Sequence, residues 1–296
     1  MQSSDAEIIK KIKEAKNFQK LGKFKDAEKV YAEALRNNEN SFDLIFSYAL
    51  FSRDQNNYVF AKKLLVNLTK KFPVEIRPYI IISDILTIEN RLSEAEQVLL
   101  LAKKIDPMNS ELLYNFSRLY WSGKNFELAL KYVNKAIQLN KDIENYKILK
   151  ADILLCKNQL NEALSILNLL KNSEINNKKI QIKNLISKIY IKNKNFEKAE
   201  EILLELIDNY NNLELGYLNL SDLYVVTKEL DKGINIIKKG LNLFPNYIPL
   251  YKNLATIYKN NGLLNKAIEI HLLIIKKNKY DFNSYYELST IYDFKD

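Results

Sequence analysis

The sequence predicts an all-α fold, a right-handed α-solenoid of eight helix-turn-helix repeats plus one C-terminal helix. Three observations carry that prediction. The 296 residues include only 6 glycines and 5 prolines, while hydrophobic residues make up 47%. Strand-rich folds need many tight turns and phosphate-binding folds need glycine loops, so this scarcity favours helices. A small residue recurs at Ala27, Ala61, Ala95, Ala129, Ala163, Ala199, Gly233 and Ala267, at spacings of 34, 34, 34, 34, 36, 34 and 34. A second small residue keeps step twelve positions earlier, at Ala15, Ala49, Ser83, Ser117, Ala151, Ser187, Ser221 and Ala255, then at Ser289 with no partner after it.

The first helix of each repeat is read from an apolar ladder around that second small residue. Tyr217, Leu220, Ser221 and Tyr224 are echoed by Tyr251, Leu254, Ala255 and Tyr258, then by Tyr285, Leu288, Ser289 and Tyr292. Offsets of 0, 3, 4 and 7 mark one face of an α-helix. A short polar turn follows and ends in a large apolar residue: Phe24, Tyr58, Leu92, Phe126, Leu160, Phe196, Leu230 and Leu264. The second helix follows the same period, as in Ala129, Val133 and Ala136. Pro73, Pro107 and Pro245 stand just past second helices, where a helix cannot continue. The repeats therefore run at about 8–41, 42–75, 76–109, 110–143, 144–179, 180–213, 214–247 and 248–281, with a lone helix over 282–292, all within one solenoid spanning 1–296.

This pattern resembles the tetratricopeptide repeat: aromatic, Leu, small and Tyr in the first helix, then Ala, a bulky residue and Ala in the second, then Pro. It covers essentially Ile8 to Asp296. The small residues let paired helices approach closely while aromatics of one repeat fill the groove of the next. A lone repeat buries too little to fold, so neighbours must supply the missing burial.

The ends and one junction depart from the pattern. Lys11 and Glu14 replace Tyr and Leu in the first unit, and Ser4-Asp5-Ala6-Glu7 reads as a capping box, so this end is expected to be the natural start of the array. The fifth unit is two residues longer within Lys171 to Lys179, and Lys147 and Lys150 stand at usually apolar places; this junction is expected to be the softest and a possible hinge. A basic patch of Lys178, Lys179, Lys183 and Lys188 is its functional alternative. The final helix lacks a second helix, leaving Ile291, Tyr292 and Phe294 partly uncovered, and a fragment of a longer protein is the expectation.

Composition narrows function. One cysteine, Cys156, excludes an intrachain disulfide and a thiolate-rich metal site. The start is polar, and no apolar run approaches the ~20 residues that span a bilayer, so a cytoplasmic protein is expected. The net charge of +9 comes from 45 basic residues interspersed with 36 acidic ones, a mixed helix surface that argues against nucleic acid as partner. The single histidine, His271, occupies the place of Tyr31, Leu65, Leu99, Val133, Leu167, Leu203 and Ile237 and reads as packing. No glycine-rich phosphate loop or nucleophile elbow occurs. No catalytic residue, metal or cofactor is expected.

What remains is binding. The resemblance implies a concave wall of first helices, where an asparagine can hydrogen-bond the backbone of an extended peptide. Matching positions hold Asn115, Asn219 and Asn253, interrupted by Ser47, Ile81, Leu149 and Leu185. Lys188, Asp222 and Lys252 share the inferred face and could select charge, and Trp121 is a candidate anchor. The chaperone-binding subfamily's carboxylate grip is incomplete in every triplet of repeats; Asn184, Lys188, Asn219, Pro249 and Asn253 come nearest. The expected function is a scaffold holding a protein or peptide in its groove. Two alternatives are carried: the substrate-recognition arm of a larger sulfotransferase or glycosyltransferase, suggested by Ser284 to Ser289 and Tyr292 to Lys295, and anion or RNA binding through the basic surface.

Overall fold

The computed structural model describes residues 2–171, 173, 175–210 and 213–293, with side chains from residue 6 onward. Among these residues there are seventeen α-helices and no strand. They form eight helical hairpins and one further helix. The hairpins are α1 (Gln2–Lys20) with α2 (Phe24–Asn37), α3 (Phe42–Asp54) with α4 (Tyr58–Lys71), α5 (Arg77–Ile88) with α6 (Leu92–Ile105), and α7 (Ser110–Ser122) with α8 (Phe126–Leu139). Then come α9 (Glu144–Cys156) with α10 (Leu160–Leu169), α11 (Asn176–Lys192) with α12 (Phe196–Asn209), α13 (Glu214–Thr227) with α14 (Leu230–Leu243), and α15 (Ile248–Asn260) with α16 (Leu264–Lys277). Helix α17 (Phe282–Asp293) follows alone.

The turn inside every hairpin has one geometry. The residue two before each second helix has a positive φ, at Gly22, Asn56, Asn90, Lys124, Asn158, Lys194, Lys228 and Gly262. The next backbone N–H bonds back to a carbonyl five residues earlier, as in Asn57 to Ser52 and Asn125 to Tyr120, each 2.8 Å. This is a Schellman termination, which satisfies carbonyls left open at a helix end and requires one left-handed residue. Asparagine side chains then open several second helices: Asn57, Asn125 and Asn195 accept from the backbone N–H of Phe60, Leu128 and Lys198.

The two small ladders are buried where helices meet. Ala27, Ala61, Ala95, Ala129, Ala163, Ala199 and Ala267 are all fully covered. Gly233 and Gly240 show why small residues sit there. A Cβ on Gly240 would lie 3.1 Å from Cβ of Tyr217 and 2.8 Å from Cδ1 of Leu250; one on Gly233 would lie 2.7 Å from Cδ1 of Ile257.

Two compact units divide the chain, Met1–Ile153 and Leu154–Asp296, with the division inside α9 of the irregular fifth repeat. In the first, hairpins pack in series: α2 on α3, α4 on α5, α6 on α7, with the first helices α1, α3, α5 and α7 also touching in succession. The second shows the same order, α12 on α13, α14 on α15 and α16 on α17, with α11, α13 and α15 in succession.

Two expectations are corrected. Helix α1 already begins at Gln2, so Ser4 lies inside the helix instead of capping it; no proline or glycine precedes it to stop the turn, and its side chain lies outside the described residues. In the longer fifth unit, Lys178 and Lys179 lie in the first turn of α11; α10 has 10 residues and α11 has 17. Ile291 is fully buried beneath α17 against the α16 side, whereas Tyr292 is exposed; Phe294 lies outside the described residues.

Candidate binding groove of the first helices

The first unit contains a cavity of about 450 Å³ walled by consecutive first helices and the residues that cap them. Arg53 comes from α3; Ile80, Ile81 and Asp84 from α5; Ser110, Tyr114, Asn115 and Arg118 from α7; Asn145 and Tyr146 from α9. No second helix contributes a described lining residue. The reason is periodicity. Ladder residues point at the paired helix, so residues one after and two before the small residue emerge on the other side. Asp84 and Arg118 follow Ser83 and Ser117, and Asn115 precedes Ser117 by two.

Charge organises the cavity. Oδ1 of Asp84 lies 2.6 Å from Nη1 of Arg118, and Oδ2 lies 3.7 Å from Nη1 of Arg53. Oδ1 is enclosed, and its contact with Arg118 is ionic, without the alignment of a hydrogen bond. Two guanidiniums thus flank one carboxylate whose side chain is 13% exposed. Asn115 is spent at both poles: its Nδ2 donates to the Glu111 carbonyl at 2.9 Å, and its Oδ1 accepts from Arg118 at 3.4 Å. It positions Arg118. Beside this polar half, Tyr114 stacks on Tyr146 at 4.8 Å, and Ser110 Oγ lies 3.2 Å from the Tyr146 hydroxyl. Burial pushes both phenols above their ordinary range. Ile80, Ile81 and Ile143 supply apolar wall. The cavity can therefore hold a chain that offers hydrogen-bonding backbone on one side and a flat or branched side chain on the other.

The second unit brings together other predicted residues. Asn219 Nδ2 donates to Asn184 Oδ1 at 3.0 Å. Asn253 Nδ2 donates to Ser221 Oγ at 2.7 Å and to Asp222 Oδ1 at 2.6 Å. Burial pushes the Asp222 carboxyl up, opposed by the Asn253 bond and the charge of Lys188. Asn219 and Asn253 keep their carbonyl poles outside those bonds. Lys252 turns instead to Asp281 at 2.6 Å, and it lines a smaller cavity of about 360 Å³ together with Lys259, His271 and Glu287.

Trp121 packs against the buried cluster that contains Leu113, Ala129, Val133 and Ile153, its indole N–H buried and unbonded. Lys183 pairs with Glu205, which reduces the expected basic patch. Arg53, Asp84, Arg118, Tyr114 and Tyr146 were not singled out from sequence. A signal existed: Lys188 and Asp222 were chosen at the position one after the small residue, and the same register yields Asp84 and Arg118.

Residues 110–143 and 180–212 match the family model for the tetratricopeptide repeat, the first of them coinciding with the fourth predicted unit. The chain has the tetratricopeptide-repeat fold. A tetratricopeptide repeat protein from Parabacteroides merdae superposes with a TM-score of 0.67 at 17% identity, covering 84% of this chain and 98% of that one. Yeast Tom70 gives 0.67 at 17% identity, covering 93% of this chain and 59% of that one. The Cut9–Hcn1 hetero-tetramer of the APC/C gives 0.64 at 14% identity, covering 90% of this chain. The chain spans about half the length of that last one. At these identities the likeness is one of fold. No curated protein matches the sequence. Among the described residues, no helix is long and apolar enough to cross a membrane.

Proposed function

We propose that this tetratricopeptide array is an interaction scaffold that receives an extended polypeptide along its first helices. Tetratricopeptide folds generally hold protein partners, and one observation supports the groove in particular: the described lining of the first unit's cavity comes from first helices and the residues just before them, with its polar groups already fixed. Arg118 is held by Asp84 and Asn115, so binding costs little side-chain ordering. In the second unit Asn219 and Asn253 are held by neighbours in the same way and present acceptors at repeat spacing. An extended chain carries a donor and an acceptor at every residue, which suits such a row.

The test is selection of binding peptides from a random library on the intact chain, followed by titration against variants. Arg118→Ala or Asn253→Ala should weaken the selected peptides at least about tenfold, equivalent to ~1.4 kcal/mol. Lys131→Ala, on the exposed side of α8, should leave them unchanged. Peptides indifferent to both groove substitutions would refute the reading. Binding of RNA that falls steeply with salt would favour the basic surface instead.

A further inference from the structure

The second-helix side of the first unit carries a recess that the groove reading does not use. Helix α6 packs on α5 and α7, but among the described residues its Cα atoms come within 8 Å of neither α4 nor α8. The first helices α1, α3, α5 and α7 do touch in succession, so these hairpins open towards their second helices. A cavity of about 660 Å³ lies along α6, lined by Gln97, Leu100, Leu101, Lys103, Lys104 and Pro107. It is larger than the cavity of the first helices, about 450 Å³.

Helical period places these residues. Ala95, Leu99 and Ala102 are buried towards the core. Gln97, Leu100, Leu101 and Lys104, at offsets 0, 3, 4 and 7, form the opposite face and are exposed. Leu100 and Leu101 stand at 44% and 50%. A paired leucine is the exception at this place. Helices α2, α4, α8, α10, α12 and α14 carry Ala32-Glu33, Val66-Asn67, Asn134-Lys135, Asn168-Leu169, Leu204-Glu205 and Lys238-Lys239, and only α16 matches it with Leu272-Leu273. A solvated helix face needs no such pair, whereas a docking face does.

Charge identifies the occupant. The described lining holds two cations and no carboxylate. The Lys103 ammonium lies 5.7 Å from the ring centroids of both Phe116 and Tyr132, which anchors it at the α7 and α8 side of the recess. Lys104 is exposed. The carboxylates of α6 itself are engaged elsewhere: Glu94 meets Arg91 at 2.6 Å, and Glu96 accepts from the Tyr120 hydroxyl at 2.5 Å. The complement is a rod with apolar side chains for the leucines and carboxylates for the lysines, which an acidic amphipathic helix supplies. A bilayer surface is flat and does not enter a recess. A nucleic acid offers phosphates but nothing apolar to cover Leu100 and Leu101. A second copy of the chain brings another net charge of +9 and is repelled.

We infer that the recess along α6 docks an amphipathic α-helix of a partner protein whose apolar stripe is bordered by Asp and Glu. Its leucine-type side chains cover Leu100 and Leu101, and its carboxylates meet Lys103 and Lys104. This surface is separate from the groove, and either reading can fail alone.

The probe is a helix-stabilised peptide of two repeats of Leu-Glu-Glu-Leu-Leu-Glu-Glu, titrated into the intact chain by calorimetry at low ionic strength. Beside it runs the same peptide with every Glu replaced by Lys. Saturable binding of the acidic peptide alone is expected. Leu101→Asn, the residue α4 carries at this place, and Lys104→Glu should each weaken it at least about tenfold. Both positions are exposed, so circular dichroism should show an intact fold. No binding, equal binding of the two peptides, or indifference to either substitution would overturn the inference. Loss on Arg118→Ala with Leu101→Asn unaffected would seat the peptide in the groove and overturn it too. So would self-association by sedimentation that Leu101→Asn abolishes, which makes the occupant a second copy, or binding of phosphatidylserine vesicles, lost in Leu101→Asn, by a chain that ignores the peptide.

Discussion

The Ser117 hydroxyl on α7 donates to the carbonyl oxygen of Ala129 on α8 at 2.8 Å, and both residues are fully buried. Serine and alanine here are the two small residues whose recurrence defines the repeat. Their contact joins the two helices of one hairpin through a side-chain hydroxyl, where Ser187 and Ser221 at the same place bond a carbonyl of their own helix.

Ala129→Leu should therefore destabilise the chain by ~1–3 kcal/mol through overpacking. Equilibrium denaturation measures it directly. An unchanged midpoint would mean that the helices do not meet at this register.

The left-handed turn residue makes an opposite prediction. Lys124 and Lys194 adopt φ of 59° and 58°, where a side chain costs energy that glycine avoids. Lys124→Gly or Lys194→Gly should stabilise by about 0.5–1 kcal/mol, reduced somewhat by the freer unfolded chain. Gly262→Ala should destabilise by a similar amount (~0.5–1 kcal/mol). A Cβ at Gly262 meets no neighbour within 4 Å, so that loss would be purely conformational. Thermal melting of the three variants checks both signs.

These turns show where sequence reading stopped. The large apolar residue ending each turn was visible, because burial demands one residue type. The left-handed position two before it was filled by Gly, Asn or Lys, types that share tolerance of a conformation and not a chemistry. Site residues divide similarly. The places of Asn115 and Asn253 were legible from the family resemblance, but whether an amide is free depends on what lies within 3 Å, and that is tertiary. Asn115 holds Arg118, and Asn219 holds Asn184. Trp121 lies on the right helix, yet it packs against a buried cluster and its indole N–H is enclosed.

His271 gives a pH dependence. It is 5% exposed, with Nδ1 3.2 Å from Ser284 Oγ. Burial lowers its pKa below the ordinary 6.5, with Glu287 and Asp281 opposing and Lys259 and Lys252 assisting. Below about pH 6.5 the unfolded chain takes up a proton that the folded chain resists, so stability falls as pH falls. It is fully present above that value. His271→Leu, matching Leu65 or Leu99 in other repeats, should flatten the unfolding free energy between about pH 6.5 and 5, whatever its effect at pH 8. A slope that persists in the variant would place the titration elsewhere.

The groove reading is tested most directly by amide hydrogen exchange of the intact chain with and without a selected peptide. Protection is predicted in first helices, on α5, α7 and α9 for a ligand of the first cavity or on α11, α13 and α15 for one of the second unit. Protection confined to second helices such as α6, α8 and α14 would contradict the account.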